Sequence, residues 1–540
     1  DIRVIQPAVG GAFGSKLDVY PYEPIAALLA KKTGRPVKVM YTREEEFKAS
    51  PTRQAAIIHM RTGCTRDGTL TFRSADVLLD NGAYTSWGPT IPVIMMRTVS
   101  GHYRIPVVDF KAQAIYTNNP YAGSFRGYGN VQTTYATAQQ MDMLADMVDM
   151  DPLQFHIKNS QKSGETTPQN SYLRECALIE CLEAAAQASD YSRKRKEYAA
   201  LRDAPGRFKK GIGLASSVHN AGGAKIHKSD GIGTILKMDD YARVTVITGA
   251  SEIGQGIDAV INLIVSEELG VPVEHVTISN TDSDIAPWDV GVHASRTTFI
   301  AGNGTRNAAR KAKAQILKSA EKFLEEPAET MELRSGWVVR DKCGTPLIKL
   351  DRLLRQMHFQ AEPELVMVTD YYEPKSEPEG AKHISDHSAA YSHAVHIAEI
   401  TVDTLTGEIK VDKVTVAQDV GRVLNRMGLE AQIEGGLAIG LGYALCENMR
   451  LEKGMLRNAS FRDYKLITAP EMPPIEMHLI ESNCAEGPYG AKGISELPTI
   501  VIAPAIANAL HNATGVRIFN PPMSPEVVAR AIHEARQSGK

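Results

Sequence analysis

The chain has 540 residues, a formal net charge of −3 at pH 7 and 43% hydrophobic residues. This length predicts two to four domains with a large buried core. The charge gives no electrostatic case for nucleic acid or an anionic membrane, and no run of about 18 apolar residues predicts a membrane-spanning helix.

The first part of the chain mixes helices with strands. A glycine-rich loop at 10–16 precedes a helix with a proline near its start and a glycine just past its end. The predicted elements are a helix at 23–33, a strand at 37–41, a hairpin of strands 57–63 and 70–79, a helix at 131–148 and a polar loop at 160–175.

A charged and polar stretch at 191–205 is predicted to connect two halves of the chain. It ends in a Pro-Gly turn, and the pattern of strands and helices restarts after it. We therefore predict a first domain at 1–205, a second at 206–540 and an α+β fold made of two large mixed α/β halves.

The second half is richer in glycine loops. Its hairpin is indicated by the turn sequence DTLTG at 403–407. The predicted elements are strands at 211–218, 233–238 and 242–248, a helix at 258–269, a basic helix at 303–324, an extended acidic segment at 369–385, strands at 394–402 and 410–417, a small-residue helix at 429–445 and an apolar segment at 500–510.

Six cysteines are scattered along the chain without zinc or iron–sulfur spacing. They are Cys64, Cys176, Cys181, Cys343, Cys446 and Cys484. We expect buried, reduced side chains, which suit a cytoplasmic protein. The chain lacks an initiator Met and enters a glycine loop almost at once, so we expect it to start inside a domain.

The most informative run is 487–498, GPYGAKGISELP, in which glycine-rich backbone leads to the single carboxylate of Glu496. The apolar segment that follows predicts a partly dry carboxylate with a raised pKa, as a general base near neutral pH requires. The alternative is a turn before a helix, with Glu496 favoured by the helix dipole.

Four further runs offer backbone N–H donors beside polar or cationic side chains. They are 10–16 (GGAFGSK), 123–129 (GSFRGYG), 254–258 (GQGID) and 294–298 (ASRTT). None has Walker A or Rossmann spacing, and each alone is more often a structural turn. Together they predict a site for an elongated anionic ligand, such as a pterin with a phosphate tail.

In this order the runs resemble the molybdenum-cofactor domains of the xanthine oxidase family, the molybdenum hydroxylases. The run 432–436 (QIEGG) is also similar to the family's Q-x-E-G helix. The resemblance covers essentially the whole chain. It implies two mixed α/β halves of the cofactor-binding type with the cofactor between them.

The resemblance implies a role for each matching residue. Glu496 is the catalytic base, and Leu17, Tyr128 and His219 belong to the substrate pocket, with Tyr128 as an aromatic wall. For His219 a solvent-facing loop position is an equal alternative. The implied cofactor-binding residues are Gly11, Phe13, Gly14, Arg126, Gly254, Gln255, Gly256, Ala294, Ser295, Arg296, Gln432 and Gly493.

The chain departs from the family pattern at three places. Leu17 follows the lysine of the first run, where purine-oxidising members have a glutamate. The family's substrate arginine has no clear counterpart, because an ungapped count falls on Ile94 and the nearest arginine is Arg97. An early cofactor-contacting glutamine segment is absent, so a further polypeptide or unobserved residues would supply it.

The implied function is hydroxylation of an aromatic N-heterocycle or an aldehyde with water-derived oxygen. Molybdenum would be held through molybdopterin, as the cytosine dinucleotide if the source is bacterial, without a direct protein ligand. Electrons would leave through an iron–sulfur subunit carrying [2Fe–2S] and an FAD subunit. The alternatives are a reductase of aromatic CoA thioesters and a non-catalytic scaffold subunit, and Glu496 argues against the scaffold.

Overall fold

A computed structural model describes residues 2–225, 228–340, 344–378 and 380–538. Cys343 lies outside these ranges, and the other five cysteines are free. No helix among the described residues has the length and apolar character needed to cross a membrane.

Thirteen α-helices occur in the described ranges. They are α1 (Tyr22–Thr33), α2 (Arg43–Ala49), α3 (Ile91–Ser100), α4 (Asn130–Met147), α5 (Pro152–Asn159), α6 (Leu178–Ser189), α7 (Tyr191–Ala200), α8 (Ile257–Leu269), α9 (Thr297–Leu324), α10 (Leu350–Phe359), α11 (Arg426–Leu445), α12 (Leu497–Thr514) and α13 (Pro525–Gln537).

Sixteen strands are described in the same ranges. They are β1 (Ala55–Cys64), β2 (Leu70–Gly82), β3 (Val107–Tyr116), β4 (Phe208–Asn220), β5 (Ile232–Met238), β6 (Val244–Thr248), β7 (Val276–Ser279), β8 (Met331–Arg334), β9 (Trp337–Arg340), β10 (Thr345–Lys349), β11 (Val366–Tyr372), β12 (Tyr391–Asp403), β13 (Ile409–Asp419), β14 (Leu451–Glu452), β15 (Met455–Leu456) and β16 (Ile475–Ile480).

The strands form small mixed sheets. The central sheet has the order β16-β13-β12-β4, with β13 and β16 parallel and the other pairs antiparallel. A second sheet has the order β11-β5-β6-β7, and a third has the order β1-β2-β3. The strands thus combine parallel and antiparallel pairing with helices on their faces, which confirms the mixed α/β character predicted from the sequence.

The central sheet is buried on both faces. One face packs against α4, α11 and α12, and the other packs against α6. Helix α12 lies so close to β4 that a Cβ at Gly213 would be 2.1 Å from the backbone nitrogen of Ala509. Glycine is therefore required there, and this close contact packs α12, which begins directly after Glu496, against the central sheet.

Three predicted elements differ from the structure. Residues 37–41 form no strand and remain largely exposed, because no described strand pairs with them. The polar connection at 191–205 is mostly helix α7, anchored by the buried Tyr191 and by an ion pair between Arg195 and Asp142 at 3.1 Å. The start of the extended segment at 369–385 is part of β11, which pairs with β5.

The remaining predicted helices and both hairpins are confirmed, with ends that shift by a few residues. The division into domains at 205 and 206 stays a prediction.

Candidate active site

Glu496 lies directly before α12 with its side chain 12% exposed. Its Oε1 accepts the backbone N–H of Gly127 at 3.1 Å, and its Oε2 accepts the hydroxyl of Ser295 at 3.0 Å. The Nε2 of His219 lies 3.3 Å from the same Oε2. Three runs that are far apart in sequence therefore meet at one carboxylate.

These surroundings decide the pKa of Glu496. Burial by itself raises the pKa, but His219, the N–H of Gly127, the hydroxyl of Ser295 and the positive charge of Arg126 lower it more, so the net pKa is below the ordinary value. The predicted rise is therefore wrong for the protein alone. The sequence shows the apolar residues after Glu496, but not the donors that long-range contacts bring to it.

Arg126 ties the Glu496 loop to α11. Its Nε donates to the carbonyl of Ser495 at 2.6 Å, and a terminal nitrogen donates to the carbonyl of Gln432 at 3.0 Å. The same nitrogen lies 3.3 Å from the side-chain Oε1 of Gln432. Arg126 thus takes part through its guanidinium, which orients Gln432 and the residue before Glu496.

The first run packs against these elements. The backbone N–H of Arg126 donates to the carbonyl of Phe13 at 2.7 Å. Gly14 has φ +107, and a Cβ there would lie 2.8 Å from the carbonyl oxygen of Ser124, so only glycine allows this approach. Leu17 ends a short 3-10 turn and is half-buried.

The GQG run lies beside the first run and opens α8. A Cβ at Gly254 would lie 3.8 Å from the nitrogen of Gly11, so the two loops are neighbours. The carboxylate of Glu252 accepts the N–H groups of Gly254, Gly256 and Asp258 at 2.7, 3.0 and 3.1 Å.

Two donors that the sequence offers to an anion are therefore already engaged by a carboxylate. The side chain of Gln255 likewise bonds within its own loop.

The run before α9 has an unusual backbone. Ala294 and Ser295 have φ values of 47° and 53°, a left-handed conformation that is costly for non-glycine residues. A Cβ at Gly493 would lie 1.6 Å from the carbonyl oxygen of Ser295, so glycine is needed to bring the Glu496 loop against this run. Strain of this kind is concentrated at functional sites.

Arg296 has a structural role that the sequence did not suggest. Its guanidinium is 1% exposed and forms ion pairs at 2.9 Å with both Asp230 and Asp289. The side chain also donates to the backbone carbonyls of Asp230 and Gly291. The donors of this guanidinium are used inside the protein, and the assignment of Arg296 to cofactor binding stays a prediction.

A small cavity of about 30 Å³ adjoins His219. Its wall includes Ile94, on which the ungapped count falls, and Arg97, the nearest arginine, together with Asn220 and His387. Tyr128 is not in this wall; its hydroxyl bonds with that of Thr90. The predicted aromatic wall at Tyr128 stays a prediction.

Sequence reasoning missed the contacts of Gly127 and Ser295 with Glu496. Both residues belong to runs that composition had singled out, yet 369 and 201 residues separate them from Glu496. The one described group with metal-ligand spacing is Asp142, Asp146 and His511, which belongs to none of the runs. Arg195 and Arg517 already form ion pairs with its carboxylates.

Two segments of the chain match family models of a known class of cofactor-binding domain. Residues 1–160 and 184–473 each match the family model of a molybdopterin cofactor-binding domain.

The putative xanthine dehydrogenase molybdenum-binding subunit XdhA of Escherichia coli K12 is 33% identical over 550 residues, covering 99% of this chain and 70% of that protein. A probable xanthine dehydrogenase subunit of Bacillus subtilis 168 is 31% identical over 532 residues, covering 98% of this chain and 69% of that protein.

A solved structure of aldehyde oxidoreductase from Desulfovibrio gigas superimposes with a TM-score of 0.85 at 26% identity, covering 98% of this chain and 55% of that one. The chain thus spans just over half of that enzyme. It belongs to the molybdopterin-binding subunits of the xanthine dehydrogenase family, which are molybdenum-dependent oxidoreductases. The resemblance drawn from the ordered runs is confirmed.

Proposed function

We propose that this chain is the catalytic, molybdopterin-binding subunit of a molybdenum hydroxylase that oxidises an aromatic N-heterocycle or an aldehyde with water-derived oxygen. The observation that carries the proposal is the meeting of three runs at Glu496, to which Arg126 links Gln432 and the first run. The GQG run lies beside the first run where Gly254 approaches Gly11, and Gly493 allows the Glu496 loop to approach Ser295.

The residues present fit a large cofactor. A Cβ at Gly10, Gly256 or Gly435 would meet no atom within 4 Å, so the backbone of three runs borders open space. Backbone around Gly14, Ser295 and Gly493, with the side chain of Gln432, would hold molybdopterin. Glu252 competes for the amides of Gly254 and Gly256, so an anionic group would bind these amides only if Glu252 moves.

When bound, molybdopterin supplies the metal centre for a two-electron oxidation. In this proposal Glu496 accepts the proton of the attacking oxygen nucleophile at Oε1 or Oε2. A like charge beside a carboxylate raises its pKa, so the lowered pKa of Glu496 in the protein alone leaves room for a rise when an anionic ligand binds. The Gly127 and Ser295 donors keep the carboxylate oriented between proton transfers.

Several finer features belong to the same proposal. The cofactor is the cytosine dinucleotide form, molybdenum has no direct protein ligand, and the complex works in the cytoplasm. Electrons pass to a [2Fe–2S] subunit and an FAD subunit, and a further polypeptide supplies the early glutamine segment. The E. coli and B. subtilis relatives are each named as a subunit, which supports an assembly of several chains.

Metal and pterin analysis of the purified complex, followed by an anaerobic substrate screen with an artificial electron acceptor, tests the proposal. We expect molybdenum, pterin and turnover of one heterocycle or aldehyde class, with oxygen from labelled water in the product. A native complex without molybdenum or pterin would refute the proposal. If a metal-replete complex reduces an aromatic thioester and hydroxylates nothing, the proposed reaction is wrong, but the proposed cofactor site stands.

A further inference from the structure

The hydrogen-bond partner of His219 Nδ1 determines whether this nitrogen carries a proton. It lies at the end of β4, and its side chain is 4% exposed between Glu496 and the cavity. Nδ1 lies 2.8 Å from the backbone carbonyl oxygen of Asn220. A carbonyl only accepts hydrogen bonds, so Nδ1 carries a proton and donates it.

The other ring nitrogen faces the base. If His219 were neutral, the lone pair of Nε2 would point at a carboxylate oxygen only 3.3 Å away, and two acceptors would repel each other. A second proton on the ring turns this contact into an ion pair. The N–H of Gly127 and the hydroxyl of Ser295 also stabilise the ionised carboxylate, so the proton belongs on the imidazole.

We propose that His219, as an imidazolium, is a positioning residue that holds Glu496 ionised and thereby sets the pH at which Glu496 can accept a proton. This rests on the proposed function of Glu496 as the base. Ionisation of Glu496 then depends on the charge of the neighbouring imidazole.

The other charged and titratable groups near this pair cannot replace His219. Arg97 of α3 lines the cavity. The guanidinium groups of Arg53 and Arg126 donate to backbone carbonyls. His387 has its pKa well below the usual range because of burial, and its Nε2 lies 2.9 Å from the side-chain oxygen of Asn220. Among the described residues, His219 alone forms an ion pair with Glu496 at hydrogen-bonding range.

The decisive variant is His219→Gln, whose amide reaches about as far as Nε2 and can donate, but carries no charge. The protonated carboxyl of Glu496 is followed by infrared difference spectroscopy over pH, assigned by its absence in Glu496→Gln. Removing an adjacent opposite charge should raise the pKa of Glu496 by about one unit or more. The acid limb of kcat/KM should move to higher pH in the same way.

A second variant at His219 and a control variant elsewhere accompany this test. His219→Asn also lacks the charge and should shift the titration in the same direction. The control is His396→Gln on β12, a buried histidine whose ring nitrogens have no hydrogen-bond partner among the described residues, and it should leave the titration unchanged.

An unmoved titration in both His219 variants overturns the proposal. A shifted titration in a molybdenum-replete complex that hydroxylates nothing supports the ion pair and refutes the proposed function instead.

Discussion

Two polar clusters hold the loop that carries Glu496, and they differ in how their charges are compensated. The front cluster is Glu496, His219, Ser295 and Arg126, beside the cavity. The rear cluster is Asp419, Lys492, His393 and Cys176. In the rear cluster Lys492 Nζ donates to Asp419 Oδ2 at 2.7 Å, and both side chains are fully buried.

The rear cluster has a permanent cation for its carboxylate. Burial raises the pKa of Asp419, but Lys492 and His393 lower it more, so the carboxylate is ionised. Burial lowers the pKa of His393, while the Cys176 thiol and Asp419 raise it to a net value of about 9. Such a fully buried carboxylate with a lysine partner serves a structural role.

The front cluster uses weaker and titratable partners. Glu496 is held by a backbone amide, a hydroxyl and a histidine, and the guanidinium of Arg126 is directed to carbonyl oxygens. The kind of cation beside each buried carboxylate decides the role of that carboxylate. A lysine within hydrogen-bonding distance makes a buried carboxylate a scaffold, whereas a histidine leaves it able to accept a proton.

Among the substitutions, Glu496→Gln in the front cluster should have the greatest effect, which is a loss of turnover. The variant keeps the size of the side chain but cannot accept the proton, so turnover should fall roughly 10²–10⁴-fold. Molybdenum content should be unchanged, because backbone groups are expected to hold the cofactor. Turnover and metal are measured on one sample, and near-normal turnover in metal-replete protein would show that Glu496 is not the base.

The largest expected effect on stability is Lys492→Met in the rear cluster. It leaves Asp419 buried without its cation and should cost roughly 3–5 kcal/mol of unfolding free energy. Urea denaturation measures the change. The control is Lys413→Met, because Lys413 pairs with Glu476 at the surface and should cost less than about 1 kcal/mol. Equal costs for the two variants would contradict the scaffold role.

The rear cluster should also make the protein sensitive to acid. The folded pKa of Asp419 lies below its ordinary value, so its contribution is present above the unfolded pKa of about 4 and is lost as pH falls through the folded value. Below about pH 4, the stability measured by thermal unfolding should therefore fall more steeply with decreasing pH in the wild type than in Asp419→Asn. Parallel curves would argue against ionised Asp419.

The smallest expected effect is Ser295→Ala. It removes one neutral donor from Glu496 Oε2 and should raise the pKa of Glu496 by less than about one unit. The infrared titration gives the pKa of Glu496 in Ser295→Ala and in His219→Gln, and the two shifts are compared. The control is Ser482→Ala, which removes the corresponding hydroxyl donor from Asp419. A shift as large as that of His219→Gln would mean that the imidazolium is not the dominant partner.

Local patterns predicted much of the fold. The helix 258–269 begins after a glycine turn and was located to one residue, and the hairpin around 403–407 followed from its turn sequence. Helix α7 was missed because its composition is polar and its stability comes from Tyr191 and the Arg195 ion pair, which are tertiary contacts. The strand predicted at 37–41 does not form, because its apolar β-forming residues have no partner strand with which to make a sheet.

The ordered runs, their family resemblance and the choice of Glu496 follow from the sequence alone, because glycines and a carboxylate at set positions are local features. The lowered pKa of Glu496, the binding of two GQG amides by Glu252 and the burial of Arg296 against two aspartates depend on the fold. A pKa and a hydrogen bond depend on atoms within a few ångströms. In this chain those atoms come from residues up to 369 positions away, which the fold alone brings together.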